Sequence, residues 1–144
     1  MNRLSRFVKR LGAVDGTTVA MDAQSEAPER PDQRELVRAA IFARRMRDDS
    51  FPGDLFGEPA WDCLLDLYLA ALEKRRLSVT DVCVAATVPP TTALRWMDIL
   101  CSKDLAVCRS DALDGGRSIV ELTRKGEALM SCYFHRASVH WNGC

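Results

Sequence analysis

Thr91, Thr92 and Arg95 stand directly behind the pair Pro89-Pro90, and their side chains are of the types that read a DNA duplex. An arginine guanidinium donates two parallel bonds to the acceptor edge of guanine, and threonine hydroxyls serve phosphates or base edges. That chemistry requires a helix that carries the three residues outward; otherwise they are an ordinary solvated face. Arg109, Asp114 and Arg117 follow in one short segment. The two arginines supply cations for the phosphate backbone, and Asp114 with Arg117 is spaced for a local ion pair. Such an exposed pair is worth about 0–1 kcal/mol, so it would shape a loop more than stabilise the chain.

Charge limits how strongly this segment can bind. Between residues 90 and 127, six basic side chains (Arg95, Lys103, Arg109, Arg117, Arg124, Lys125) stand against six acidic ones (Asp98, Asp104, Asp111, Asp114, Glu121, Glu127). Affinity for DNA rests largely on phosphate neutralisation. The segment alone therefore predicts modest affinity, with help needed from a second copy or from the five arginines of residues 33–49 (Arg34, Arg38, Arg44, Arg45, Arg47). The whole chain, 144 residues with 20 basic and 20 acidic, has no net charge, so any DNA-binding surface comes from local placement. The same balance also fits a protein-interaction module that does not bind DNA.

Other reactive residue types point less clearly. Cys132-x-x-His135, with His140 and Cys144 beyond, gathers side chains that tetrahedral zinc accepts. Their spacing fits no established ligand pattern; the plain alternative is a frayed C-terminus, and neither metal nor cofactor is expected. The six cysteines, at 63, 83, 101, 108, 132 and 144, include no CxxC pair. They suit buried, reduced thiols in a cytoplasmic protein better than a disulfide framework. Cys101 and Cys108 raise the idea of a redox switch, since Arg109 adjoins Cys108; simple apolar packing is the competing account. There is no Gly-rich phosphate loop, HExxH or GxSxG, so no enzyme is predicted. No apolar run approaches the roughly 20 residues that cross a bilayer. The start, MNRLSRFVKRLG, is basic but lacks the apolar run of a secretory signal, and the true start could be Met1 or Met21. Leu4, Phe7, Val8 and Leu11 are spaced like one face of a short surface helix, against which stands a loose basic tail.

The elements that must position these residues can be read from periodicity. Residues 1–31 form a tail and linker, ending in a stretch rich in Gly, Thr, Ser, Glu and Pro. Asp32 caps a helix at about 33–49 with Glu35 in the third position; Leu36, Ala39, Ala40, Ala43 and Met46 form its apolar face and the arginines its polar one. A second helix runs from Glu58 to about Arg76, with Trp61, Leu64, Leu65, Tyr68, Leu69 and Leu72 as its stripe. Ser78, with Asp81 three residues on, opens a short helix holding Val79, Val82, Cys83 and Ala86. Pro89-Pro90 forces a turn, and Pro90 opens the helix to about Lys103, with Ala93, Met97 and Leu100 inward and Trp96 at the margin. Residues 105–109 and 118–122 alternate as strands around Asp111–Gly116, which has the composition of a turn. Thr123 caps a last helix at about 124–136, leaving 137–144 as a tail.

Helix, helix, turn, helix, hairpin, helix is the order of a winged helix-turn-helix. The expected fold is thus mainly α with a small β-hairpin, an α+β domain at about 55–136 preceded by the amphipathic helix within 32–50. In such a domain the second helix of the pair enters the major groove and the hairpin tip reaches phosphates or the minor groove.

The run from Thr91 to Gly126 resembles the MarR family of bacterial winged-helix regulators. The resemblance rests on the Thr-rich helix start with Arg95, on Leu100 followed by Leu105-x-x-x-Arg109, on Asp111-x-x-Asp114, and on Leu122-Thr123-x-x-Gly126. It implies a sequence-specific regulator of transcription that binds double-stranded DNA as a homodimer in the cytoplasm. The implied contacts are Thr91, Thr92, Arg95, Arg109, Asp114 and Arg117. Two features depart from the family pattern. Gly115 and Gly116 stand where the wing usually carries basic residues, and the C-terminal helix is short for a dimer interface built from both chain ends. The small-molecule effector is left unassigned.

Overall fold

Asp32 opens the first helix by accepting the Arg34 backbone N–H at 3.2 Å, satisfying one of the donors that a helix start leaves unpaired. The computed structural model describes residues 32–53, 55–113 and 115–141. Helix α1 is Gln33–Ser50 and α2 is Pro59–Leu72; a two-residue strand β1, Leu77–Ser78, leads into α3, Val79–Ala85. Helix α4 is Pro90–Ser102, strands β2 and β3 are Ala106–Asp111 and Arg117–Leu122, and α5 is Arg124–Trp141. The strands form one antiparallel sheet in the order β1-β3-β2.

Helix α2 is the axis of the fold. Cys63, Leu65, Leu67, Tyr68, Leu69 and Ala70 are all buried, so it is apolar nearly all round, as a helix surrounded by others must be. Val37 of α1, Val82 and Ala86 of α3, and Ala93, Met97 and Leu100 of α4 close on it. So do Val120 and Leu122 of β3 and Met130 and Phe134 of α5. Tyr68 stacks on Phe134 at 5.9 Å between centroids, and Trp61 meets Tyr133 edge-on at 4.8 Å.

The sequence-based picture needs four changes. First, the buried face of α1 runs through Val37, with Leu36, Ala40, Ile41 and Arg44 partly buried; Ala39, Ala43 and Met46 face solvent. Both stripes obey helical spacing, and only the position of α2 selects between them. Second, α2 stops at Leu72, because Lys74 turns to a left-handed φ of 54°. Third, α5 continues past residue 136 to Trp141; Phe134 and Ser138, one turn apart, are both buried, and the Ser138 hydroxyl donates to the His135 carbonyl at 2.7 Å. Fourth, β1 adds a third strand, pairing Leu77 with Val120 and Ser78 with Ile119.

Candidate nucleic-acid interface

The helix pair is fixed by two local devices. At the start of α3 the Ser78 hydroxyl accepts the Asp81 backbone N–H at 3.2 Å, while the Asp81 carboxylate accepts the Ser78 N–H at 2.8 Å. This reciprocal capping box pairs donors at both positions. The Ser78 hydroxyl and N–H hold the Asp81 carboxyl below its usual range, with help from Arg117. At the other end Thr87 takes a left-handed φ of 52° and Pro89 an extended ψ of 144°. The chain is thereby turned out of α3 and released into α4 at Pro90, where a missing N–H costs nothing.

Helix α4 then sorts its residues sharply. Ala93, Met97 and Leu100 are at most 3% exposed, whereas Thr91, Leu94, Arg95 and Asp98 face outward. Thr91, Thr92, Arg95, Trp96 and Ile99 together line an open concavity of about 440 Å³. No acidic residue occupies the first turn, so the positive end of the helix dipole is left uncompensated by carboxylate and favours an anion such as phosphate. Among the described residues none forms an ion pair or hydrogen bond with the Arg95 guanidinium.

The hairpin is built as expected, and its charges are used differently. Gly115 and Gly116 take φ of 62° and 80°, and the Gly116 N–H donates to the Asp111 carbonyl at 3.0 Å. These left-handed angles suit glycine. Leu113, 96% exposed, projects from the tip. Arg109 is exposed on β2 opposite Ile119. Arg117 is turned back: it donates to the Ser78 hydroxyl at 3.1 Å and lies 3.6 Å from the Asp81 carboxylate. It therefore anchors the root of the wing to the start of α3. Asp114 lies outside the described residues, and so does its expected pairing with Arg117. Arg76, which the sequence did not single out, pairs with Asp111 at 2.8 Å; the two are 35 positions apart, too far for any local signal.

The arginines of α1 are largely spent within the fold. Arg34 pairs with Asp32, Arg38 with Glu73, and Arg47 with Asp48. Arg47 also lies over the Phe56 ring, 4.4 Å from its centroid. Arg44 turns inward and donates to both Asp62 and Glu58. Burial works against its cation, but the two carboxylates outweigh that and hold its pKa above the ordinary value. Of the five candidates for phosphate neutralisation only Arg45 is outside the ion pairs found among the described residues.

The remaining candidates are scattered. Cys132, His135 and His140 are exposed on α5 and Cys144 lies outside the described residues. His135 and His140 are five positions apart, about 140° around a helix. Among the described residues no three potential ligands come together to hold a metal ion. Of the described cysteines only Cys63 is buried, and burial pushes its thiol up to about 12. Cys83 and Cys101 are half-buried, and Cys108 and Cys132 are exposed, against the expectation of buried thiols. No described helix is long and apolar enough to cross a membrane.

The chain matches no family model and no curated protein. Solved structures do share its architecture. A protein of Archaeoglobus fulgidus superposes with a TM-score of 0.50 at 19% identity, over 60% of this chain and 91% of its own. A point variant of MepR from a Staphylococcus aureus clinical isolate gives 0.50 at 22% identity, over 77% and 78%; MepR is a transcription regulator of the multidrug efflux pump MepA. A MarR family transcriptional regulator of Silicibacter pomeroyi gives 0.47 at 20% identity, over 75% and 74%. At these identities the likeness is one of fold, and the fold is the winged helix-turn-helix.

Proposed function

We propose that the chain is a MarR-like regulator of transcription that binds double-stranded DNA as a homodimer in the cytoplasm, with α4 in the major groove. One observation carries this: α4 presents Thr91, Thr92 and Arg95 to solvent on one face, while Ala93, Met97 and Leu100 hold its other face in the core. A rigid helix whose outward cation has no partner among the described residues is what base readout needs. That MepR, alike in fold, is a transcription regulator is consistent with it. Arg95 and the two threonines supply the groove contacts, Arg109 a backbone contact. Arg117 acts by fixing the wing, and the apolar Leu113 stands exposed at its tip.

The test is selection of random duplexes at low salt, followed by gel shift. The expected product is an inverted repeat with half-sites about 10 base pairs apart, bound with a steep salt dependence. Absence of any enriched sequence would sink the proposal and leave a protein-interaction module, which a pull-down from nuclease-treated lysate would then reveal.

The dimer reading rests on the apolar side chains that α1 and α5 leave uncovered. These two helices pack on each other, yet Phe42 is 65%, Tyr133 52% and Val139 55% exposed. Apolar side chains exposed on two packed helices are what an association face would use. Phe42→Glu is therefore expected to shift the sedimenting species at micromolar concentration from dimer to monomer and to weaken binding to the inverted repeat. An unchanged sedimentation coefficient would place the interface elsewhere.

A further inference from the structure

The turn after α4 folds the chain back so that two cysteines meet. Asp104 takes a left-handed φ of 57°, and the Leu105 N–H returns to the Leu100 carbonyl at 2.9 Å. Strand alternation places Cys108 on the same side of β2 as Ala106, the side that faces α4. Cys101 lies one residue before the end of α4, and its Sγ is 3.9 Å from that of Cys108. A disulfide needs about 2.05 Å, so a closure of about 2 Å joins them. Both thiols line an open surface cleft that also exposes Asp98, Asp104 and Glu121.

We infer that Cys101 and Cys108 form a reversible disulfide that ties the recognition helix to the wing strand and lowers affinity for DNA. The oxidant class is a hydroperoxide. One thiolate attacks the distal peroxide oxygen, breaking the O–O bond and giving a sulfenic acid and an alcohol, or water from hydrogen peroxide. The partner thiolate then attacks the sulfenic sulfur and expels hydroxide, which leaves as water. In sum two thiols are oxidised and one peroxide is reduced. Burial, then Cys101 and Asp98, push the Cys108 thiol up to about 11. A raised pKa lowers the share of Cys108 that is reactive thiolate near neutral pH. Closing the bond pulls the helix that bears Arg95 against the strand that bears Arg109 and disturbs the spacing of the two groups.

The effect on affinity rests on the DNA-binding reading; the crosslink does not. The experiment treats the purified, reduced full-length protein with hydrogen peroxide and maps it by mass spectrometry after trypsin, which cuts at Lys103 between the two cysteines. The expected product is one intramolecular peptide pair, 96–103 joined to 104–109, that thiol reductant separates. Sulfenic or sulfinic acid at either residue without that pair, or a crosslink between two molecules, would overturn the inference. Binding to the selected duplex is expected to weaken about tenfold on oxidation and to recover on reduction, and Cys101→Ala should abolish both changes. A crosslink with unchanged affinity overturns the coupling. Failure of the reduced protein to bind any duplex overturns the DNA reading and leaves the crosslink standing.

Discussion

Replacing Arg95 by alanine is expected to weaken binding to the selected duplex by about 10- to 100-fold, or about 1–3 kcal/mol, with no change in thermal unfolding. The separation follows from where the residue sits. Arg95 is exposed on α4, and among the described residues it holds no ion pair or hydrogen bond. Its loss takes nothing from the core, and a surface change of this sort moves stability by about 0.5 kcal/mol or less. The salt dependence says which contact is lost. If the guanidinium reads a base, the cost falls mainly on the selected sequence. If it neutralises a phosphate, all duplexes suffer alike and the slope of log affinity against log salt falls by about 0.9. Arg44→Ala is the contrasting case: it leaves Asp62 and Glu58 without their shared cation, so stability should fall. An Arg95→Ala protein that binds as tightly as the parent would remove α4 from the interface.

What could be read from the sequence divides by range. The helix pair was legible because its determinants are local: Ser78 and Asp81 are three positions apart, and Pro89-Pro90 admits only a turn. The hairpin was legible for the same reason, through alternation and the paired glycines. The fate of the charges was not. Arg117 meets Ser78 across 39 positions and Arg38 meets Glu73 across 35, contacts that exist only once β1 and α2 are in place. The arginines of α1 read as a polar face open to DNA, but among the described residues neighbouring acids pair with all save Arg45. The apolar side of α1 failed differently: two stripes of similar quality share the helix, one turned to α2 and one left uncovered. In the sequence Cys101 and Cys108 are two residue types seven positions apart, and the turn at Asp104 brings their sulfurs together.

The motif Leu122-Thr123-x-x-Gly126 has a mechanical meaning that yields the second large effect. Thr123 caps α5 through its hydroxyl, which accepts the Gly126 N–H at 3.0 Å and donates to the Asp104 carbonyl at 2.6 Å. The start of α5 is thereby drawn onto the turn between α4 and β2. A Cβ at position 126 would lie 2.2 Å from the Leu105 carbonyl oxygen and 3.3 Å from a Leu122 methyl. That oxygen is held in place by the Thr123 N–H at 3.0 Å, so it cannot yield without breaking the joint. Two effects of opposite sign compete in Gly126→Ala. Helix propensity alone favours alanine by about 1 kcal/mol. The clash with fixed backbone costs more, about 3–4 kcal/mol in all, because overpacking against main chain has no rotamer to relax into. A net loss of about 2–3 kcal/mol is expected, seen as a lower urea midpoint at unchanged m-value and a fall in Tm of about 10 °C. A neutral or stabilising result would show that α5 does not sit against this turn. The joint between α4, the hairpin and α5 would then have to be drawn differently.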